Sequence, residues 1–357
     1  MIVYPFVIIT SVVLARWTDF NAKIRDGGVS RPRRLTIGAL MVIGVLAGVS
    51  ALRWRVGTDY WAYERNFDQY VKELPTSINF LGEPGIRLLA WFADSIGAGS
   101  AGMFALAAFI TLGLIVRTIW RWSLAFGFSI AVFILSGNWH GTFNGVRQYL
   151  AASILLAGHR YIVERRFARW LLVVLVATLF HVSAIVGLLM YALPRKRLSA
   201  VSQLTILVIA VIAMVGTGAL LQVGASLTDD PGSWGSEYAV HSVNPLRIAF
   251  YCLPMLMYWI LPTRKTIRHE GDWFYANMLV IIAATAIAGA GSAYLMRFAV
   301  YPSLFLPIAL ALVTSVDNKW ERALVRGGLL AAMAVFMYTE VSMTNNLSNF
   351  QWLFNRE

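Results

Sequence analysis

Long apolar runs without a single charge constrain this chain more than any other feature. Leu35–Leu52, Val201–Leu221 and Gly328–Tyr338 contain no Asp, Glu, Lys or Arg. A water-soluble domain solvates its surface with charge, usually about a quarter of its residues. Here only 13% of 357 residues are charged, 58% are hydrophobic, and mean hydropathy is +0.65. These values exclude a soluble enzyme, a disordered tail and a disulfide scaffold. They describe an all-α, polytopic integral membrane protein, read as one transmembrane domain over residues 1–357. The balance of 30 basic to 18 acidic residues gives +12. Clustered between apolar spans, such residues mark cytoplasmic loops, and no nucleic-acid partner is expected. Cys252 is the sole cysteine, which rules out a disulfide framework and a Cys-based metal site. Met1–Ala15 lacks a basic n-region and a cleavage site, so it reads as a retained membrane helix.

About ten to twelve membrane helices are expected, because a bilayer core takes roughly 20 helical residues per crossing. The candidate spans are Ile2–Trp17, Leu35–Leu52, Ser100–Ile119, Leu124–Gly137, Val146–Val163, Trp170–Leu193, Val201–Leu221, Pro245–Leu261, Trp273–Ala290, Phe298–Val316 and Gly328–Glu340. Basic residues at 16–34, 117–121, 160–169, 195–197, 264–268 and 319–326 assign those loops and span ends to the cytoplasm, with the N-terminus outside. Trp170–Leu193 breaks this scheme, because a basic loop flanks it at each end. A single crossing would invert everything that follows, including the acidic loop Thr228–Glu237. A re-entrant or broken helical pair bent near His181 restores consistency. Irregular backbone at membrane depth must be buried in protein or face a wet cavity, so the bend is expected at a cavity. No internal repeat is evident, which disfavours an inverted-repeat transporter.

The outward side carries the polar chemistry. Loop 53–99 holds Asp59, Glu64, Asp68, Glu73, Glu83 and Asp94 together with Arg53, Arg55, Arg65, Lys72 and Arg87. Its stretch Ile86–Ile96 is apolar on one helical face, suggesting a short interfacial helix. Asn138–Gln148 is polar and aromatic and leads into a span, while Arg247 and Arg297 stand at outer span ends. Four segments appear in order: VGTDYWAY at 56–63, GEPG at 82–85, NGVRQYLA at 144–151 and LFHVSAI at 179–185. This series resembles the EpsG-type branch of the Wzy-like bacterial polysaccharide polymerases over roughly the first half of the chain. The later half offers only Arg297 and Tyr301 near the start of a late span. The resemblance implies a GT-C-like membrane glycosyltransferase in the bacterial inner membrane, facing the periplasm or exterior. It would polymerise undecaprenyl-diphosphate-linked oligosaccharide, for exopolysaccharide or O-antigen, with a chain-length regulator among its partners and no cofactor.

That reaction asks for specific groups. A sugar hydroxyl attacks an anomeric carbon as a lipid diphosphate departs. Guanidinium forks suit the leaving diphosphate, and a carboxylate or neutral imidazole suits the attacking hydroxyl. Arg147, Arg297 and Arg247, with Gln148 and Asn144, are the expected diphosphate contacts; the alternative for each arginine is a snorkelling or capping side chain. Asp59, Glu83 or His181 is the expected base. Asp59 could instead close a turn or cap a helix, Glu83 could serve the amides of the Ile86 helix, and His181 could bond a backbone carbonyl. Arg55 and Arg87 could hold both acids in an ordinary salt-bridged loop. Tyr60, His140 and Arg55 are expected to contact acceptor sugar. His159, His241 and His269 lack partners at ligand spacing, so no metal is expected. Gly289 and Gly291 suggest close helix packing. A lipid-linked oligosaccharide flippase, an O-antigen ligase-like transferase and a membrane acyltransferase are the competing classes.

Overall fold

The computed structural model describes residues 2–21, 34–73, 82–226, 243–262, 267, 269–343 and 345–355. The basic residues Lys23, Arg25, Arg31, Arg33, Arg264, Lys265 and Arg268, the loop Thr228–Glu237 and His241 lie outside the described residues. Helices dominate throughout. The chain divides into two compact units, residues 1–192 with 327–357 and residues 193–326.

The first unit begins with α1 (Val3–Asn21) and α2 (Ile37–Ala51), the latter capped by Thr36, whose hydroxyl accepts the Ala39 amide. After β1 (Arg53–Trp54) come the short helices α3 (Tyr60–Arg65), α4 (Phe67–Glu73) and α5 (Pro84–Ser95), then the long α6 (Gly99–Trp122). α7 (Phe126–Leu135), α8 (Asn138–Asn144), α9 (Val146–Gly158), α10 (Arg160–Val163) and α11 (Phe167–Thr178) follow. Helix α6 is the central post: α2, α5 and α9 pack on it, and α1 lies along α2 and α7. The chain end returns as β2 (Gln351–Trp352), antiparallel to β1, and the Tyr4 hydroxyl donates to the Leu347 carbonyl.

The described parts of loop 53–99 form a packed subdomain. Tyr60 and Tyr63 from α3, Phe67 from α4, and Ile86, Leu89, Ala90 and Ala93 from α5 bury against Met103, Phe104 and Ala107 of α6 and Val146 and Leu150 of α9. Tyr60 stacks on Phe104 at 4.4 Å, an arrangement worth about 0.5–1.5 kcal/mol beyond area burial. The amphipathic helix expected over Ile86–Ile96 is α5, with Leu88, Trp91 and Phe92 exposed opposite its buried face. Arg53 is buried between the rings of Phe104 and Phe143, each 5.1 Å away. Its guanidinium donates to the Ser50 and Val56 carbonyls, tying the end of α2 to the loop.

Every expected span coincides with helix, but many are broken or short. Among the described residues, Val3–Asn21, Gly99–Trp122 and Lys319–Met343 are long and apolar enough to cross a membrane. Ala200–Val215 with Thr217–Ser226 and Ala293–Ser303 with Leu306–Val313 add two bent pairs, angled by 74° and 57°. Ile37–Ala51, Phe126–Leu135, Phe167–Thr178, Pro245–Ile260 and Trp273–Ala288 are shorter apolar helices among the described residues. The interruptions have local causes. Gly137 at φ +86° turns the chain from α7 into α8, and α11 stops before His181, whose φ of −156° and ψ of 118° are extended. The expected break at His181 is therefore present, with a 3-10 helix at Val182–Val186 beyond it.

In the second unit, Trp273–Ala288 packs against Ala200–Val215 and Pro245–Ile260. The close packing expected at two glycines is found: a Cβ on Gly289 would lie 2.7 Å from the Met296 backbone, and one on Gly291 2.4 Å from the Thr217 hydroxyl. In the first unit, a Cβ on Gly85 would lie 2.6 Å from the Phe180 ring. Gly85→Ala is expected to destabilise the protein by about 1–3 kcal/mol through overpacking, read as a lower melting temperature in detergent. Adding Phe180→Leu should restore part of the loss; an unchanged melting temperature for Gly85→Ala would refute the contact.

Candidate functional site

The GTDY and GEPG motifs have local reasons for their shape. In GTDY, Gly57 sits at φ +106°, where a Cβ would strike the Phe143 carbonyl at 2.6 Å. This close approach lets the Thr58 amide donate to Asn144 Oδ1 at 2.8 Å. In GEPG, Glu83 takes left-handed backbone angles of φ 53° and ψ 60°, which cost an L-residue roughly 1–2 kcal/mol. Pro84 then starts α5 at a position where its missing N–H costs nothing. The Gly85 amide donates to the Leu179 carbonyl at 2.8 Å. As a result the Glu83 side chain points away from its own helix, towards the break after α11.

There the carboxylate is captured three ways. Oε1 accepts His181 Nδ1 at 2.6 Å and the Val182 amide at 3.1 Å. Oε2 forms a salt bridge with Arg147 Nη1. Arg147, in the first turn of α9, also donates from Nε to the Tyr63 hydroxyl at 3.1 Å, and its backbone amide reaches the same oxygen at 3.4 Å. Its guanidinium lies 5.5 Å from the Tyr63 ring centroid. Glu83, His181, Val182, Arg147 and Tyr63, bonded across 64 to 99 positions of sequence, thus form one network. Glu83 is nearly buried, with 10% side-chain exposure, against 28% for His181 and 36% for Arg147. One edge of the cluster is therefore open.

The electrostatics follow from these partners. Burial alone pushes the Glu83 carboxyl up. The His181 hydrogen bond, the Arg147 and His181 charges and the Val182 amide outweigh it and hold Glu83 below the usual carboxylate range. Such a carboxylate is a weak base whose oxygens are already engaged. Burial also pushes the Tyr63 hydroxyl up, against the pull of Arg147, with Asp59 adding to the rise. Tyr63 thus keeps its proton.

Several expectations change at this point. Glu83 does not cap α5; it serves the first amide of the 3-10 helix in a distant segment. Asp59 precedes α3 without a side-chain cap bond and accepts the Thr58 hydroxyl at 3.2 Å. Arg87 pairs with Glu73 rather than with Glu83, and Arg55 stacks on Trp54 and Trp61. Tyr60, His140 and Gln148 are buried, at 1%, 5% and 6% exposure. Asn144 is spent on the Thr58 amide. Tyr63 was missed by sequence reading, although it lies one helical turn beyond Tyr60 on α3. Arg247 and Arg297 belong to the second unit; Val243, Met296 and Ala299 share a small core there with Ile248 and Tyr251. Arg297 is exposed, 5.8 Å from the Tyr294 ring. Among the described residues no group of His, Cys, Asp and Glu could hold a metal ion.

These features define a helical membrane protein with an ion-paired polar site where loop 53–99 meets a broken helix. The sequence model of the EpsG family matches residues 37–353, and the chain belongs to this family of Wzy-like polysaccharide polymerases. The match reaches well beyond the first half, where the motifs had placed it. No curated protein and no solved structure matches the chain.

The lowered acidity of Glu83 gives a pH signature. The stabilisation from its three bonds is complete at neutral pH and is lost as pH falls through its depressed folded-state value. Between about pH 5 and 3 the wild-type melting temperature should fall more steeply than that of Glu83→Gln. Parallel curves would show that the carboxylate is not held as described.

Proposed function

We propose that the protein is a multi-pass glycosyltransferase that polymerises undecaprenyl-diphosphate-linked oligosaccharide repeat units at the non-cytoplasmic face of the bacterial inner membrane. The observation that carries this reading is the convergence of Glu83, His181, Arg147 and Tyr63 at one partly open site. The family supports the polymerase class.

The residues divide the work by geometry. Glu83 holds the imidazole through Nδ1, and in the tautomer with the proton on Nδ1 the other nitrogen, Nε2, carries the lone pair that can take a proton. The acceptor sugar hydroxyl attacks the anomeric carbon of the donor, and its proton passes to His181 Nε2. The new glycosidic C–O bond forms as the bond from anomeric carbon to phosphate oxygen breaks. The electron pair leaves with undecaprenyl diphosphate, which Arg147 receives through the N–H groups not engaged by Glu83 and Tyr63. Tyr63 and Glu83 are positioning residues: they fix the guanidinium and ring before substrate arrives, and prior ordering of this kind lowers the cost of reaching the transition state. Asp59, whose charge acts on Tyr63, is assigned to orient an acceptor hydroxyl. The scheme draws only on first-unit residues and requires nothing of Arg247 or Arg297.

The test is purified protein in liposomes supplied with lipid-linked repeat units alone. Wild type should lengthen the lipid-linked chains. His181→Gln should lower the rate about 10²–10⁴-fold, the span of a lost general base. Arg147→Ala should lower it about 10²-fold or more, with Arg147→Lys intermediate because a lysine lacks the fork. Glu83→Gln should slow the rate and move its pH optimum. Units that change leaflet without lengthening would replace this reading with a flippase, and transfer to a non-repeat acceptor would replace it with a ligase.

A further inference from the structure

A groove in the second unit has no part in the reaction above. It has a volume of about 720 Å³ and runs between the start of Ala200–Val215 and the end of Pro245–Ile260. One end is polar, with Arg197, Ser199 and Gln203; the other is apolar, with Leu204, Leu207 and Trp259. Its polar floor is fixed. Gln203 is buried, donates to the Leu198 carbonyl at 3.0 Å and accepts the Trp259 indole N–H at 2.6 Å. The Ser199 hydroxyl caps the helix by accepting the Ser202 amide at 3.0 Å. With these groups satisfied, the exposed Arg197 is the charge the groove presents, and among the described residues no acidic residue lines it. Arg195 and Lys196 precede it in the chain.

The apolar end continues onto a lipid-like surface. Leu204, Val208, Ile212 and Val215 are exposed along one helix, and Trp259 and Ile260 along the other. An occupant must therefore pair a negative head with an apolar tail, in that order along the groove. We propose that this groove binds an anionic membrane phospholipid, with its phosphate at Arg197 and an acyl chain along Leu204 and Leu207. A guanidinium takes a phosphate through paired N–H bonds, and the indole of an interfacial tryptophan sits naturally at the glycerol level. The volume falls within the range of small-molecule sites, roughly 300–1,000 Å³. The inference is independent of the proposed reaction.

The experiment is native mass spectrometry of the full chain, stripped of lipid in neutral detergent and titrated with phosphatidylglycerol or phosphatidylethanolamine. Wild type should retain phosphatidylglycerol preferentially. Arg197→Gln should weaken that retention about fivefold, the scale of one basic side chain at a lipid surface. Leu204→Trp should weaken it with Arg197 intact by filling the tail end. Should either variant fold poorly, Arg197→Lys keeps the charge and should lie between wild type and Arg197→Gln. Equal retention of both lipids, or retention unaffected by Arg197→Gln and Leu204→Trp, would overturn the proposal. Displacement by glycerol phosphate at the same concentration as the lipid would also overturn it, because it would mark a soluble-phosphate site.

Discussion

The carboxylate of Glu83 is the interaction on which the candidate site depends. A buried carboxylate costs several kcal/mol unless charges and hydrogen bonds replace its water. Here a guanidinium, an imidazole and a backbone amide do so together. The partners come from α9, from the extended residue after α11 and from the first turn of a 3-10 helix. Losing Glu83 would strand Arg147 and leave the Val182 amide without its acceptor. The strained backbone of Glu83 is tolerated because these bonds, and the docking of Gly85 under Phe180, determine where the residue must sit.

The same carboxylate explains how a helix can break next to so much apolar surface. A helix end leaves amides unsatisfied, and in a poorly hydrated setting each one is expensive. A side chain from 99 positions away meets this need at Val182. The break thereby acquires a polar, oriented histidine. Tyr63 plays the matching part at the start of α9, where its hydroxyl meets both the Arg147 amide and Nε. Two helix ends are thus completed by side chains of loop 53–99, and completing them fixes the reactive groups in place.

Much of this was legible in residues 56–63, 82–85, 144–151 and 179–185. The apolar face of Ile86–Ile96 signalled a short helix after Glu83, and the basic loops flanking Trp170–Leu193 a break near His181. What the pattern could not give was pairing. Arg87 and Glu83 are four apart, yet Arg87 goes to Glu73 and Glu83 to Arg147. Tyr60 and Tyr63 look equivalent in the motif, but one is packed against Phe104 and the other faces Arg147. The return of the chain end onto Arg53–Trp54 had no local signal at all.

The sequence by itself determined the solvent the protein lives in, its helical class and the residue types available for chemistry. These follow from composition and period, which every short window of chain displays. Tertiary structure alone decided which acid meets which base, which aromatic groups are core, and how short the apolar helices become. Those outcomes depend on contacts between segments far apart in sequence, and whether a charge is stable there depends on partners that only the folded chain supplies.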